Sequence, residues 1–130
     1  MELVEFLTAR LNEDEQAALA ATWDADASRR WNPHLIEKPR WGWGVVDDMD
    51  AGVTVVEPAA ADAAAVAQHM ARHDPARVLR DVAAKRRLVE YIEEELTNQG
   101  NSNNDKLMHV LRLSALSYAS HRDYDEAWRP

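Results

Sequence analysis

Two histidines on one predicted helix face are the residues best placed to do chemistry. His69 and His73 are four residues apart, and this spacing puts both imidazoles on the same side of a helix. Histidine suits zinc, nickel and iron(II), so the pair predicts part of a divalent metal site, with Asp74 directly after it. His121 with Asp123, or Asp14, would complete a mixed nitrogen and oxygen shell if the fold brought them near. The alternative is that the histidines cap helix ends or bond a carboxylate.

Other catalytic signatures are absent from the sequence. The first histidine of the pair is not followed by the glutamate that marks zinc peptidases. The chain has no cysteine, which excludes thiolate metal sites, disulfides and a cysteine nucleophile. The run Trp41–Gly44 has the wrong spacing for a phosphate-binding glycine loop. A metal-dependent, hydrolase-like enzyme at the histidine pair is therefore the alternative hypothesis.

A second candidate group is a lysine on an apolar helix face. Helical spacing places Lys85 between Val78, Val89 and Ile92, with Asp81 one turn earlier as a partner. One interpretation is that the lysine runs its methylenes along the apolar surface and lifts its ammonium into water. The other is a partly buried, paired charge in a site.

Both candidates depend on a corner that the sequence predicts at Asp74-Pro75. Aspartate is a favourable helix N-cap. Proline is favourable at the first helical position, because the amide hydrogen that it lacks has no partner within the helix there. The residue before a proline is disfavoured in helical geometry, so the preceding helix should end at His73. Two helices therefore cover residues 66–96, joined by a tight corner.

The first helix is predicted over Glu2–Thr22. It places Arg10 and Glu13 on the side opposite its apolar face, whereas Asp14 projects close to that face. Most acidic runs form a solvated surface, and Asp14 would then be part of that surface. The alternative is that Asp14 is the one acid of its run that points inward. The apolar face consists of Leu3, Val4, Leu7, Leu11 and Ala18.

The tryptophans concentrate in the middle of the chain. Residues 23–40 lose helical periodicity and predict an ordered loop, whereas residues 41–57 predict a small two-stranded hairpin. Trp31, Trp41 and Trp43 then either pack on helices or form a partner surface. A homodimer through the stretch from Trp31 to Trp43 is a further hypothesis.

The predicted fold class is mainly α. We expect a single domain over residues 1–130, like a four-helix bundle, with the hairpin 41–57 inserted between the first and second long helices. A polar, flexible loop is predicted at 98–104, followed by a buried helix over 105–119 and a tail that folds back.

Charge and hydropathy narrow the class of partner. The net charge of −8 opposes binding to nucleic acid or anionic lipid, and the sequence has neither a signal peptide nor a membrane span. Together with the absence of cysteine, this predicts a soluble cytoplasmic protein. Residues 27–46 are locally basic, so the Arg29-Arg30 segment either faces an acidic helix or marks a partner surface.

Three stretches resemble one protein family. The central run HMARHDPARVLRDVAAKRR at 69–87 is similar to the signature of small actinobacterial, mainly streptomycete, and actinophage proteins of no assigned function. LVEFLTARLNEDEQ at 3–16 and LRLSALSYASHRDYDEAWRP at 111–130 are also similar. The resemblance implies such a source and no functional residue. Our first hypothesis is therefore a non-enzymatic binding or adaptor protein with an unknown protein partner.

Overall fold

The computed structural model describes residues 2–23, 26–37, 41–57, 62–98 and 104–130. These ranges contain four α-helices and one antiparallel sheet with the strand order β1-β2-β3. The helices are α1 (Glu2–Ala20), α2 (Ala63–Arg72), α3 (Pro75–Asn98) and α4 (Asn104–Ala115). The strands are β1 (Trp31–Ile36), β2 (Gly42–Asp47) and β3 (Gly52–Val55). Short 3₁₀ turns cover Asp26–Arg29, Leu116–Tyr118 and Glu126–Trp128.

The chain forms two compact units. We call Met1–Asp14 with Asp81–Pro130 the helical unit, and Glu15–Arg80 the sheet unit. Each unit has its own cluster of buried apolar side chains. The single domain over residues 1–130 stays a prediction. Residues 99–103 of the predicted flexible loop lie outside the described ranges.

The core of the helical unit joins side chains of α1, α3, α4 and the C-terminal tail. The apolar face predicted for the first helix is buried, as its spacing requires. The ring of Phe6 lies 5.9 Å from that of Tyr124 and 5.1 Å from that of Trp128, so the predicted return of the tail is confirmed. The buried members of this core are Leu3, Val4, Phe6, Leu7, Val89, Ile92, Leu111, Ala115 and Tyr124.

The core of the sheet unit lies where α2 packs on β1 and β2. Val45, Val56 and Ala67 are buried there, and half-buried Trp31 and Trp43 pack against them. An alanine at position 67 lets the helix backbone approach the sheet closely. Helix α2 begins at Ala63, where the Asp62 side chain caps it by accepting from the Ala65 N–H. Residues 58–61 lie outside the described ranges.

The prediction of a bundle with a two-stranded hairpin is wrong, although the mainly α class holds. The sheet has a third strand, β1, in the segment predicted as a loop, and α2 packs on this sheet. Pro33, which indicated a loop, lies opposite Val45 in an edge strand. The Trp31 N–H donates to Asp74, so Trp31, Pro33 and Leu35 direct their backbone groups away from β2. Proline at such a position removes no hydrogen bond from the ladder.

The connection between β2 and β3 is set by one buried carboxylate. Asp47 is 2 % exposed, and its Oδ1 accepts from the N–H groups of Met49 and Ala51, each at 2.9 Å. Asp50 adopts a φ of 59°, a left-handed conformation that aspartate tolerates better than most residues. The turn predicted between the two strands of the hairpin is therefore confirmed. Among the described helices, none is long and apolar enough to cross a membrane.

The close approach of β3 to β2 predicts a difference between two glycines. A Cβ at Gly44 would lie 2.8 Å from the Thr54 carbonyl oxygen and 3.2 Å from Ile36 Cδ1. Gly44→Ala must therefore shift backbone, and we expect it to lower the free energy of unfolding by about 1–3 kcal/mol in urea denaturation. Gly42→Ala is the matched control, because a Cβ there meets nothing within 4 Å. Equal losses in the two variants would contradict the described strand pairing.

Candidate functional site

The helix corner predicted at Asp74-Pro75 is confirmed. Helix α2 ends at Arg72, the His73 N–H donates to the Met70 carbonyl, and α3 begins at Pro75. The Asp74 side chain caps the new helix, since its Oδ1 accepts from the Arg77 N–H at 2.8 Å. The chain turns here for the local reasons that the sequence predicts.

Asp74 also connects the corner to the sheet. Its Oδ2 accepts from the Trp31 N–H at 3.1 Å, at the first residue of β1. Each carboxylate oxygen of Asp74 is therefore already bonded to a backbone amide. A metal ion at Asp74 would compete with both hydrogen bonds.

The two histidines before the corner lie side by side on the surface. The ring centroids of His69 and His73 are 4.4 Å apart with an interplanar angle of 48°, and both residues are exposed. Within the described ranges, no group of three or more histidine, aspartate and glutamate side chains is placed to hold a metal ion. The other predicted ligands, His121 and Asp14, have contacts within the helical unit.

Beside the histidines, α2 lines a groove of the sheet unit. A cleft of about 410 Å³ is lined by residues of β1 and α2, and a hollow of about 230 Å³ is lined, among the described residues, by α2 alone. Gln68 and Arg72 line both spaces, so we treat them as one feature, the α2 groove. Its remaining lining is Trp31, Pro33 and Ala71 in the cleft and Ala65 and His69 in the hollow.

The α2 groove combines an apolar wall with one cation. Trp31 and Pro33 form the wall on the β1 side, and Ala71 contributes a buried methyl group. The Arg72 guanidinium makes no hydrogen bond or ion pair with the described residues, although the Arg72 carbonyl accepts from Arg77 Nη1. An arginine whose N–H groups are not hydrogen-bonded within the fold can bind a carboxylate through two parallel hydrogen bonds.

The three tryptophans predicted as a partner surface have different environments. The Trp31 indole Nε1 donates to the Ser28 carbonyl at 2.9 Å, and its ring faces both the core and the α2 groove. Trp43 is half-buried against the sheet core. Trp41 is 71 % exposed just before β2. The partner surface therefore stays a prediction. Trp31 and Trp41 are accessible to a partner, whereas Trp43 packs against the sheet core.

A buried arginine organises the polar side of the helical unit. Arg10, predicted on the solvent side of the first helix, is only 7 % exposed. Its guanidinium carbon lies 5.1 Å from the Phe6 ring centroid, Nη2 donates to Glu13 Oε1 at 2.8 Å, and Nη1 lies 2.7 Å from His121 Nδ1. Guanidinium only donates, so Nδ1 of His121 accepts and its proton lies on Nε2. The Asp123 N–H donates to the same nitrogen at 3.1 Å.

Tyr118 forms the second half of this polar network. Its hydroxyl donates to Asp14 Oδ2 at 2.6 Å, so Asp14 is the acid of its run that points inward. Burial, followed by the hydrogen bond to Asp14 and its charge, raises the pKa of Tyr118 well above its usual range. Half-buried Lys85 places Nζ 5.6 Å from the Tyr118 ring centroid. Asp81, the predicted partner of Lys85, also takes part in a polar interaction.

Sequence reasoning missed Arg10 and found Asp14 only as one of two alternatives. The spacing of Phe6 and Arg10 is a signal that a guanidinium can lie over the ring. Nothing local indicates that His121 and Asp123, over a hundred residues later, return to this helix. Chemically the network is a set of mutual hydrogen bonds that ties α1 to the C-terminal segment, although the buried Nε of Arg10 has no partner in the described ranges.

The comparisons with known proteins give one match. A family model described as a family of unknown function, DUF6221, matches residues 1–130. No curated protein and no solved structure matches the chain. The resemblance to a family without assigned function is confirmed, while the actinobacterial or phage source and the signature motif stay predictions.

The Tyr118 hydroxyl predicts a specific alkaline behaviour. Because its pKa is raised in the folded protein, the stability that it contributes is complete below the usual tyrosine pKa of 10.0 and is lost as the pH rises toward the folded value. We expect the unfolding free energy of wild type to fall more steeply above this pH than that of Tyr118→Phe. Alkaline titration of tyrosinate absorbance should show a late component that disappears in Tyr118→Phe. Tyr91→Phe, which removes the hydroxyl of an exposed tyrosine, is the control; loss of the late component there would exclude our assignment.

Proposed function

The chain belongs to DUF6221, a family of unknown function, and from its own geometry we propose that it is a non-enzymatic binding protein. The ligand that we propose is an acidic segment of a partner protein, bound in the α2 groove. The observation that carries this proposal is a cleft that combines a tryptophan and proline wall with Arg72, whose guanidinium has no partner among the described residues.

The walls of the groove define the first requirement on the ligand. A tryptophan face next to a proline ring favours an apolar side chain, which is desolvated on contact. The cleft of about 410 Å³ has room for one such side chain and its neighbours. The partner segment therefore contains at least one apolar residue.

The polar residues of the groove define the second requirement. Arg72 offers charge-assisted hydrogen bonds to a carboxylate, and Gln68 offers both an amide donor and an acceptor on the same helix face. His69 adds a third polar group at the far end of the groove. These groups favour aspartate or glutamate next to the apolar residue of the ligand.

The ligand is recognised through its side chains and not by addition of a strand to β1. Of the N–H groups that β1 directs away from β2, that of Trp31 is bonded to Asp74, and Pro33 has none. A peptide aligned along this edge would find few donors, so main-chain pairing contributes little there. Sequence selectivity should consequently depend on Arg72 and Trp31.

Selection from a library of short random peptides displayed on phage tests this proposal. We expect wild-type protein to enrich sequences with Asp or Glu beside an apolar residue, and Arg72→Glu to enrich Lys or Arg in their place. For a selected acidic peptide, Arg72→Glu should weaken binding by about tenfold or more, as expected for a lost charge-assisted pair. Arg72 is exposed, so the variant should fold normally.

Arg87→Glu is the matched control, because it makes the same change in net charge at an exposed position of α3. It should leave the selected peptides and their affinities unchanged. The proposal fails if the wild type enriches no sequence, or if Arg72→Glu selects the same acidic peptides as the wild type.

A metal-dependent enzyme is the second candidate, favoured by two exposed imidazoles whose ring centroids lie 4.4 Å apart. His69 and His73 would supply two ligands, with Asp74 as a third after release of its hydrogen bonds. Tag-free protein equilibrated with zinc, nickel or iron(II) should then retain one metal ion per chain by mass spectrometry. His69→Ala and His73→Ala should each abolish retention, whereas His34→Ala, an exposed histidine of β1, should not. Absence of bound metal in the wild type would end this candidate.

The remaining attributes belong to the same proposal. A homodimer through the stretch from Trp31 to Trp43 stays a prediction, as do a cytoplasmic location and an actinobacterial or actinophage origin. Exposed Trp41 supports a contact surface in that stretch.

A further inference from the structure

Three of the six residues that line a second concave feature of the sheet unit are arginines. It is a hollow of about 250 Å³, which we call the arginine hollow. Arg29 and Arg30 come from the end of the 3₁₀ turn before β1, and Arg80 comes from α3. Ala76 and Leu79 supply its aliphatic lining, and Asp26 is the one acid among the described residues that line it. Three guanidinium groups at one place are notable in a chain of net charge −8.

The donors of these arginines are only partly used by the fold. Arg80 makes no hydrogen bond or ion pair with the described residues. Arg29 Nη1 lies 3.8 Å from Asp26 Oδ1, beyond hydrogen-bond distance, and Arg29 Nε is buried without a partner in the described ranges. Arg30 uses Nε for Asp48 Oδ2, which leaves its two terminal nitrogens. Most of the guanidinium donors around the hollow therefore remain available.

The two nearby carboxylates differ in how strongly they compete for these donors. Hydrogen bonds from Asn32 and Arg30 hold the pKa of Asp48 below its usual value, so this carboxylate stays ionised and satisfied where it is. The Asp26 side chain is 88 % exposed and makes only the long contact with Arg29. An incoming anion would displace Asp26 easily, because a solvent-exposed ion pair at this distance contributes little.

From this arrangement we propose that the arginine hollow binds the phosphate group of a small phosphate monoester. Guanidinium groups match the oxygen geometry of phosphate in pairs of parallel hydrogen bonds, and phosphate offers enough acceptors for Arg29 and Arg80 together. The methyl groups of Ala76 and Leu79 pack against the carbon atoms next to the ester oxygen. A volume of about 250 Å³ fits a phosphate with a short carbon skeleton.

Isothermal titration at constant ionic strength tests the site with three probes: inorganic phosphate, glucose 6-phosphate and a phosphoserine peptide. We expect inorganic phosphate and the sugar phosphate to bind, with the sugar phosphate tighter. Arg80→Gln should weaken both by about tenfold, as expected for a lost charge-assisted hydrogen bond. Asp26→Asn should tighten both severalfold, because it removes the competing carboxylate. A gain of affinity cannot come from failure to fold.

Arg87→Gln is the control, since it removes an exposed positive charge of the same helix outside the hollow. It should not change the affinity for either small probe. Equal weakening in Arg80→Gln and Arg87→Gln would mean diffuse attraction and would overturn the site. Failure of all probes to bind at millimolar concentration, or a clear preference for the phosphoserine peptide over the sugar phosphate, would also overturn it.

Discussion

The fold of the sheet unit depends on one carboxylate, that of Asp74, which accepts hydrogen bonds from two backbone amides. At the start of α3 the Arg77 N–H has no partner within its helix, and at the edge of the sheet the Trp31 N–H has no neighbouring strand. Asp74 accepts from both, because its two oxygens point to different elements. Without this carboxylate, two amides would lose hydrogen bonds and the first residue of β1 would lose its tie to the helix corner. This tie joins the helix corner to the strand that supplies Trp31 and Pro33 to the α2 groove.

The helical unit contains a buried cation, the guanidinium of Arg10. Removing a guanidinium from water is unfavourable unless its donors are satisfied. Arg10 meets this requirement in part: its terminal nitrogens contact Glu13 and His121 and its plane lies over Phe6, whereas its buried Nε has no partner in the described ranges. Asp14 accepts from Tyr118. These polar groups stabilise the packing of the C-terminal segment and are occupied by one another. Arg72 and Arg80 of the sheet unit keep donors for a ligand, which is why we assign binding to that unit.

Much of the fold was predictable because it follows from local chemistry. The extent of α1, the corner at Asp74-Pro75 and the turn between β2 and β3 each follow from residues that lie next to one another in the chain. The third strand was not predictable in this way. Pro33 argues against a strand unless its position in the ladder is known, and that position depends on which side of β1 pairs with β2. The groove, formed by residues 31–33 and 65–72, depends on the same pairing.

The sequence alone determined the helix boundary at Asp74-Pro75, that His69 and His73 share a face, and that the chain carries excess negative charge. These properties depend on backbone preferences and spacing within a few residues. Only the tertiary structure decided which charges are used within the fold: it buries Arg10, brings Asp14 to Tyr118 and leaves Arg72 without a partner in the described ranges. The physical reason is that the stability of a charge depends on its desolvation and its neighbours, and residues distant in sequence supply both.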